Sequence, residues 1–248
     1  MVIFDLDDTL AASKSPIAPD MAQILGRLLA KTEVCIISGG NFAQFDSQVI
    51  RQLSPDVRLA GLHLMPTCGT RYLRYVQKDW QQLYAHDLAE TEKQQAVAAI
   101  TEVAQRLGYW EPDEKLRGER IEDRGSQITY SALGQQALVE DKKNWDPTGI
   151  KRRQLQQEIA VLLPDLEVRA GGSTSIDITR CGIDKAYGVR QLAEQTGIDL
   201  AQMLFVGDRL EPGGNDYPVK ALGLACQEVS GPSDTIAFLT KLLDNAWR

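Results

Sequence analysis

Short apolar runs of buried-strand length alternate with amphipathic helical patterns at both ends of this chain. The runs at residues 1–4 and 34–37 are each followed by apolar residues at helical spacing. The same alternation resumes after residue 185 and includes a third run at residues 203–206. A strand–helix–strand–helix rhythm of this kind predicts a parallel sheet with helices on both faces.

The middle of the chain follows a different pattern. A long helical pattern near residues 87–107 precedes short alternating segments, which lie at residues 120–124, 127–131, 166–170 and 175–179. Such segments predict an antiparallel sheet with helices on one face. We therefore predict an α/β protein with a Rossmann-like parallel-sheet core and an inserted α+β cap with an antiparallel sheet. The predicted catalytic core comprises residues 1–80 and 181–248, and the predicted substrate-binding cap comprises residues 81–180.

Composition limits the partners of such a protein. The formal net charge is −7, which argues against a nucleic-acid partner because proteins that bind nucleic acid normally present a basic face. The four cysteines are widely separated, and none has the spacing of a zinc site. No apolar run reaches the length of a membrane-spanning helix, and the N-terminus lacks the pattern of a secretory leader. We expect a cytoplasmic protein that binds neither nucleic acid nor a membrane.

Small polar clusters lie at the ends of the predicted core elements. Asp5 and Asp7 come directly after the first strand, Ser38 after the second and Asp208 after a later one. Lys185 begins the helix that follows the cap. Ligands of open α/β sheets bind at the carboxyl ends of the parallel strands, so we expect these side chains to converge on one site.

The residue types in this set suit phosphoryl transfer. Carboxylates that lie close together repel one another unless a cation is present, and hard oxygen ligands suit Mg²⁺. Such a metal also offsets the charge between an anionic nucleophile and an anionic phosphate. We predict that Asp5 is a nucleophile that forms an aspartyl-phosphate, and that Asp7 protonates the leaving oxygen. The groups predicted to hold the phosphoryl oxygens are Ser38, Lys185 and the backbone N–H groups of Gly39 and Gly40.

Each of these signals is weak when it stands alone. An Asp-x-Asp after an apolar run is common, a Ser-Gly-Gly sequence is usually a turn with a helix cap, and a lysine at a helix start is usually solvated. The combination of all of them, in this order and at the expected places, is what favours a catalytic site.

Longer motifs extend the pattern. Residues 207–216 read Gly-Asp-Arg-Leu-Glu-Pro-Gly-Gly-Asn-Asp, and residues 171–177 read Gly-Gly-Ser-Thr-Ser-Ile-Asp. Gly-Ile-Asp-Lys follows at residues 182–185, and residues 117–124 contain Arg-Gly, Ile-Glu and a final Arg. With the Asp-x-Asp-x-Thr of residues 5–9, these motifs resemble the haloacid dehalogenase (HAD) superfamily of phosphotransferases over the whole chain. Within that superfamily, the chain most resembles the eukaryotic-type α-phosphomannomutases.

The resemblance implies a HAD core, with an α/β cap inserted between the second and third motifs, and further site residues. The implied Mg²⁺ ligands and their neighbours are Asp5, the backbone carbonyl of Asp7, Asp208, Asn215 and Asp216. The implied substrate contacts are Ser175 and Asp177 to sugar hydroxyls and Arg124 to the phosphate that is not reacting.

Some phosphate-binding positions depart from the family pattern. An arginine expected soon after the nucleophile is Lys14 here, and two cap arginines are replaced by Gln135 and Lys142. Lysine keeps the positive charge but loses the bidentate geometry of arginine, and glutamine loses the charge. We assign Lys14 and Lys142 to substrate binding. The Ser-Gly-Gly of residues 38–40 is closer to the second motif of the phosphatase members.

Three functions stay open at this level. The first is a phosphomannomutase-like conversion of mannose 6-phosphate to mannose 1-phosphate, which implies a hexose 1,6-bisphosphate activator. The second is a sugar-phosphate phosphatase that uses the same Asp5 chemistry with water as the acceptor. The third is an inactive sugar-phosphate-binding module, against which the intact Asp5, Asp7, Lys185 and Asp208 argue. Mutases of the resembling type pair through their caps, so the resemblance also implies a homodimer.

Overall fold

A computed structural model describes residues 1–246. The strands in this range are β1 (Val2–Phe4), β2 (Val34–Ile37), β3 (Leu62–Met65), β4 (Arg71–Val76), β5 (Asp79–Ala85), β6 (Ile121–Asp123), β7 (Gln127–Ser131), β8 (Leu166–Ala170), β9 (Ser175–Arg180), β10 (Leu204–Gly207) and β11 (Ala225–Glu228). The helices are α1 (Pro19–Leu29), α2 (Phe42–Gln48), α3 (Glu90–Arg106), α4 (Val139–Trp145), α5 (Ile150–Leu162), α6 (Lys185–Thr196), α7 (Tyr217–Ala221) and α8 (Pro232–Ala246). None of these helices combines the length and apolar character needed to cross a membrane.

The chain divides into two compact units. Unit 1 is formed by two segments, Met1–Ala85 and the segment from Asp184 onward, whereas unit 2 is the continuous segment His86–Ile183. Each unit contains one sheet.

Unit 1 contains a seven-stranded, mostly parallel sheet. Its strand order is β11-β10-β1-β2-β3-β4-β5, with parallel pairing from β11 to β3 and an antiparallel hairpin, β4 and β5, at one edge. Phe4 of β1 lies opposite Val206 of β10 on one side and Ile36 of β2 on the other. Because these three strands are adjacent and parallel, the residues that follow them lie at the same edge of the sheet.

Apolar residues of β1 pack on both faces of this sheet. Phe4 belongs to a buried cluster with Leu25 of α1 and Leu239 of α8. Ile3 belongs to a second buried cluster with Val189 of α6. Successive side chains of a strand point to opposite faces, so helices cover both sides of the sheet. The predicted α/β fold with a mostly parallel sheet is confirmed.

Unit 2 contains a four-stranded antiparallel sheet in the order β6-β7-β9-β8. One face is apolar: Ile128 of β7 and Ile178 of β9 form a buried cluster with Ile100 of α3 and Leu155 of α5. The helices α3 and α5 therefore cover this face, as the sequence pattern predicts. The alternate residues of β7 and β9 are polar and form the opposite face.

The β4–β5 hairpin is the main element that the sequence patterns do not identify. The predicted core boundary after residue 80 falls within β5, which pairs along its length with β4, and Tyr84 lies opposite Tyr72. All seven β5 residues are exposed or half-buried, as at a sheet edge, so the strand lacks the continuous apolar run that marks β1 and β2. The apolar segment at residues 222–229 contains β11 only from Ala225 onward, because α7 ends at Ala221 and is followed by Gly223, whose φ is +85°.

A buried histidine lies in the same sheet as the parallel strands. His63 of β3 is 1% exposed, and its Nδ1 lies 2.7 Å from the Tyr72 hydroxyl while its Nε2 lies 2.8 Å from the Glu33 carboxylate. The pKa of His63 is lowered to about 4, mainly by burial; the Glu33 hydrogen bond partly opposes this shift and the nearby Arg74 guanidinium adds to it. The imidazole is therefore neutral at pH 7.

This histidine is expected to make the protein sensitive to acid. Because the pKa of His63 is lower in the folded chain than its usual value near 6.5, the unfolded chain binds the proton more readily. The stability that neutral His63 contributes is complete above about pH 6.5 and is lost progressively as the pH falls toward about 4, at up to about 1.4 kcal/mol per pH unit. His63→Phe removes this titration, so its free energy of unfolding should fall less steeply with acid.

Urea unfolding at several pH values between 6.5 and 5 measures this slope. The control is His86→Gln, which changes the exposed histidine and should keep the wild-type slope. Equal slopes for wild type and His63→Phe would show that His63 is not the titrating group.

Candidate active site

Asp5 lies at the carboxyl end of the central strand β1. Its backbone N–H donates to the Val206 carbonyl (3.0 Å), which continues the pairing with β10. Its side chain is buried, and Oδ1 accepts hydrogen bonds from the Leu6 N–H and the Lys185 ammonium, each at 2.7 Å. The strand pairing and these two donors fix the carboxylate at the edge of the sheet.

Lys185 is the first residue of α6 and is almost completely buried. Its Nζ lies 2.7 Å from Asp5 Oδ1 and 2.5 Å from Asp216 Oδ1. The preceding Asp184 caps the helix by accepting the Tyr187 N–H at 2.8 Å. Gly188 allows α6 to approach the chain that follows β3, since a Cβ at this position would lie 2.7 Å from the Cys68 carbonyl oxygen. A glycine one turn along the helix therefore helps to place the ammonium beside Asp5.

Three carboxylates form a cluster around this lysine. One oxygen from each of Asp5, Asp208 and Asp216 lies within 4.8 Å of the others. Asp216 is fully buried, and its Oδ2 accepts the Arg209 N–H at 3.1 Å. Asp208 Oδ1 accepts the Thr9 hydroxyl at 3.3 Å. An all-oxygen cluster of this kind fits a hard divalent cation.

The charges in the cluster are not balanced by the protein alone. Burial raises the pKa of Asp5 to about 7, the Lys185 ammonium opposes that rise, and the Asp216 carboxylate adds to it. Burial disfavours the Lys185 ammonium, but Asp5 and Asp216 outweigh that cost and raise its pKa. Taken alone, the salt bridge to Lys185 would lower the Asp5 pKa. The net direction is upward because burial outweighs the ammonium and the Asp216 carboxylate adds to burial. The pKa of Asp208 is also raised, by burial and then by Asp216. A bound cation would favour the ionised forms of Asp5 and Asp208.

Asp7 is half-buried and its carboxylate accepts hydrogen bonds from a different set of donors. Oδ1 accepts the Lys14 N–H at 2.6 Å and the Gln48 amide at 3.4 Å, and Oδ2 accepts the Gln44 amide at 3.2 Å. The two glutamines are four residues apart on α2, so they share one face of that helix. Sequence spacing does not single out these two glutamines, because glutamines four residues apart are common on exposed helix faces.

The Ser-Gly-Gly turn lies at the end of β2. The Ser38 side chain is buried, and its Oγ accepts the Gly40 N–H at 3.2 Å. A Cβ at Gly40 would collide with the side-chain oxygen of Gln44, so the turn packs directly against the Gln44 amide. Gly39 is half-buried, and the Lys14 residue is exposed.

Unit 1 therefore brings together four of the residues predicted from the sequence, Asp5, Lys185, Asp208 and Asp216. Asn215 is exposed in the loop between β10 and α7, one residue before the buried Asp216. The Asp7 carboxylate lies outside the three-carboxylate cluster, and the metal role predicted for this residue concerns its backbone carbonyl. The chemical roles of all these residues stay predictions.

The predicted cap residues lie in unit 2. Arg124 pairs with Glu122 at 2.7 Å, and the Lys142 ammonium donates to the Gln135 carbonyl at 2.8 Å. Ser175 and Asp177 lie on the polar face of the antiparallel sheet, on the same side of β9. Their roles in binding substrate likewise stay predictions.

Comparisons with known proteins agree with this architecture. Residues 21–245 match the family model described as eukaryotic phosphomannomutase. The chain is 26% identical to the phosphomannomutase of Schizosaccharomyces pombe and 25% identical to that of Saccharomyces cerevisiae, and each alignment covers 98% of this chain and 94% of the relative. A solved haloacid dehalogenase-like hydrolase from Bacteroides thetaiotaomicron has a TM-score of 0.63 at 15% identity, covering 97% of this chain and 98% of that chain. At that identity, the structural likeness concerns the fold alone.

Proposed function

The chain belongs to the eukaryotic phosphomannomutase family, enzymes of the HAD superfamily, and we propose that it transfers a phosphoryl group of a hexose phosphate through an aspartyl-phosphate on Asp5. The proposed reaction converts mannose 6-phosphate to mannose 1-phosphate and requires Mg²⁺. The observation that carries this proposal is the cluster around Asp5. The Asp5 carboxylate lies 2.7 Å from the Lys185 ammonium, and one oxygen from each of Asp5, Asp208 and Asp216 lies within 4.8 Å of the others, close enough to bind one cation together.

The first half of the reaction moves the phosphoryl group to the enzyme. An Asp5 carboxylate oxygen forms a bond to phosphorus while the bond between phosphorus and the sugar oxygen breaks. Asp7 gives its proton to that departing oxygen. Lys185 and the Ser38–Gly40 turn hold the phosphoryl oxygens. Mg²⁺, held by the side chains of the cluster and the Asp7 carbonyl, would reduce the repulsion between the anionic nucleophile and the anionic phosphate.

The second half regenerates the enzyme. An acceptor hydroxyl gives its proton to Asp7 and takes the phosphoryl group from Asp5. In the mutase reaction a hexose 1,6-bisphosphate, the activator, first phosphorylates Asp5 of the resting enzyme. The phosphoenzyme then transfers that group to the free hydroxyl of a hexose monophosphate, so a bisphosphate forms again. This bisphosphate, bound in the opposite orientation, returns its other phosphoryl group to Asp5 and leaves as the isomeric monophosphate. Unit 2 supplies the proposed contacts to the sugar and to its second phosphate, namely Arg124, Lys142, Ser175 and Asp177, and Lys14 of unit 1 is a further proposed phosphate contact.

Particular residues favour phosphatase activity as the second candidate. Gln135 and Lys142 stand where the family pattern has arginine, and the Lys142 ammonium donates to a backbone carbonyl. A mutase must bind its bisphosphate in two orientations, so it needs firm binding of the phosphate that is not reacting. Weaker binding of that phosphate would favour hydrolysis over transfer to the sugar. In the phosphatase reaction, water replaces the sugar hydroxyl as the acceptor.

Phosphorus NMR distinguishes these two reactions. The purified protein is incubated with mannose 1-phosphate and Mg²⁺, with and without mannose 1,6-bisphosphate. A mutase should form mannose 6-phosphate in a manner that depends on the bisphosphate, whereas a phosphatase should release inorganic phosphate whether or not it is present. Absence of both products at every activator concentration would refute the proposed function.

A further inference from the structure

The polar face of the unit 2 sheet contains a closed group of hydrogen bonds around Asp177. Thr129 of β7 lies directly opposite Asp177 of β9. The Thr129 hydroxyl donates to Asp177 Oδ1 at 2.8 Å, and the Gln127 amide donates to the same oxygen at 2.8 Å. The same Gln127 nitrogen donates to the Thr129 hydroxyl oxygen, also at 2.8 Å. Three side chains on two strands therefore hold one another in place.

The two donors are buried, whereas the carboxylate is not. Gln127 and Thr129 are each 2% exposed, and Asp177 is half-buried. Both Gln127 amide hydrogens and the Thr129 hydroxyl hydrogen are used inside this group. A ligand on this face would meet the carboxylate of Asp177, while the two donors would act only through it.

The second carboxylate oxygen has a different environment. A Cβ added at Gly171 would lie 2.6 Å from Asp177 Oδ2, so the backbone of residue 171 lies close to this oxygen. A carboxylate oxygen offers about two lone-pair sites, and the two donors use those of Oδ1. Oδ2 is left to accept hydrogen bonds from outside the group.

A second pair of hydroxyls extends this face along the same two strands. Ser131 lies opposite Ser175, and their hydroxyl oxygens are 3.1 Å apart. Both residues are buried to at least nine-tenths. The face thus presents an acceptor and a hydroxyl, Asp177 and Ser175, each backed by a buried polar residue of β7.

We infer that Gln127 and Thr129 are positioning residues that orient the Asp177 carboxylate so that Oδ2 accepts a hydroxyl group of the sugar. This inference rests on the proposed function, because it concerns how the same enzyme recognises its hexose phosphate. Neither residue touches the substrate. Gln127 and Thr129 should therefore affect the binding of sugar phosphates only, since a phosphate ester without hydroxyl groups donates no hydrogen bond to Asp177.

Thr129→Val tests the inference because it keeps the shape of threonine and removes the hydroxyl. The substrates are mannose 1-phosphate, its monodeoxy analogues and p-nitrophenyl phosphate, which reports on the Asp5 chemistry without a sugar. We expect the KM for mannose 1-phosphate to rise about tenfold or more, which is the usual effect of losing a hydrogen bond to a charged group. Turnover of p-nitrophenyl phosphate should stay within about twofold of wild type, because this ester makes no sugar contact.

The decisive readout is the response to the deoxy analogues. The wild type should discriminate against the analogue that lacks the hydroxyl bound by Asp177. In Thr129→Val this discrimination should be smaller. The loss of kcat/KM for the variant acting on the deoxy analogue should therefore be less than the product of two losses, the one caused by the substitution alone and the one caused by the deoxy change alone. Thr129→Ser keeps the hydroxyl and should behave as wild type. Gln127→Met, which removes the amide donors, provides a second test if Thr129→Val does not fold.

The outcomes separate this inference from the function on which it rests. If folded Thr129→Val and Gln127→Met discriminate among the analogues as wild type does, the positioning role is refuted while the proposed function stands. If the wild type hydrolyses p-nitrophenyl phosphate but turns over no hexose phosphate, the proposed substrate class is wrong and the inference falls with it.

Discussion

Replacing Asp5 with asparagine is expected to reduce phosphoryl transfer by at least about 10³-fold, because the amide cannot act as the nucleophile. The change keeps the size of the side chain. Lys185 retains its ion pair with Asp216 at 2.5 Å, so the buried ammonium is not left without a partner. The fold should therefore survive, and the loss should concern the chemical step.

Two measurements check this expectation. Phosphorus NMR follows product formation from mannose 1-phosphate, and acid quenching of the protein with radiolabelled substrate detects the covalent phosphoenzyme. Both signals should disappear in Asp5→Asn. The matched control, Asp244→Asn, makes the same chemical change at an exposed position and should leave both signals unchanged. Unchanged turnover in Asp5→Asn would refute the aspartyl-phosphate mechanism.

Replacing Lys185 with methionine is expected to lower the free energy of unfolding by about 3–5 kcal/mol when no divalent metal is present. Methionine fills much of the same volume but carries no charge. The change leaves Asp5 and Asp216 buried beside each other without the ammonium that both of them contact. Two buried carboxylates without a counter-charge are costly, which is the physical reason for the large effect.

A divalent cation should reverse part of that loss, because it can supply the missing positive charge at the three-carboxylate cluster. Urea unfolding in EDTA and in Mg²⁺ measures both effects on the same protein. Lys241→Met, at an exposed position of α8, is the control and should show neither. If Lys185→Met were as stable as wild type in EDTA, the ion pairs would not stabilise the fold as described.

The sequence predicts the central part of the site because parallel strands follow a simple rule. Their apolar runs are continuous, and the residues after them meet at one edge of the sheet. Asp5 and Asp208 follow such runs, and their carboxylates lie in one cluster in the structure. Lys185 could also be predicted as part of the site, because it begins the helix that follows the inserted segment, where the chain returns to the same sheet.

Other parts of the structure depend on pairing that local patterns do not encode. The β5 strand has no buried side chain, so its place at the edge of the sheet follows only from its pairing with β4. Gln44 and Gln48 contact Asp7 although they lie about forty positions further along the chain. In the same way, the group formed by Gln127, Thr129 and Asp177 requires the register of β7 against β9. Each of these features needs three-dimensional neighbours rather than sequence spacing.

The order of strands in unit 1 also affects how the protein folds while it is being translated. On the ribosome, β1 emerges about two hundred residues before β10, which is one of its two direct neighbours in the sheet. Contacts of such long sequence separation form late in folding. Unit 2, a continuous segment, has all its strands available before β10 is synthesised. We therefore expect nascent chains that stop before β10 to carry an unpaired edge of β1, and Asp5 to meet Asp208 only after β10 has been synthesised.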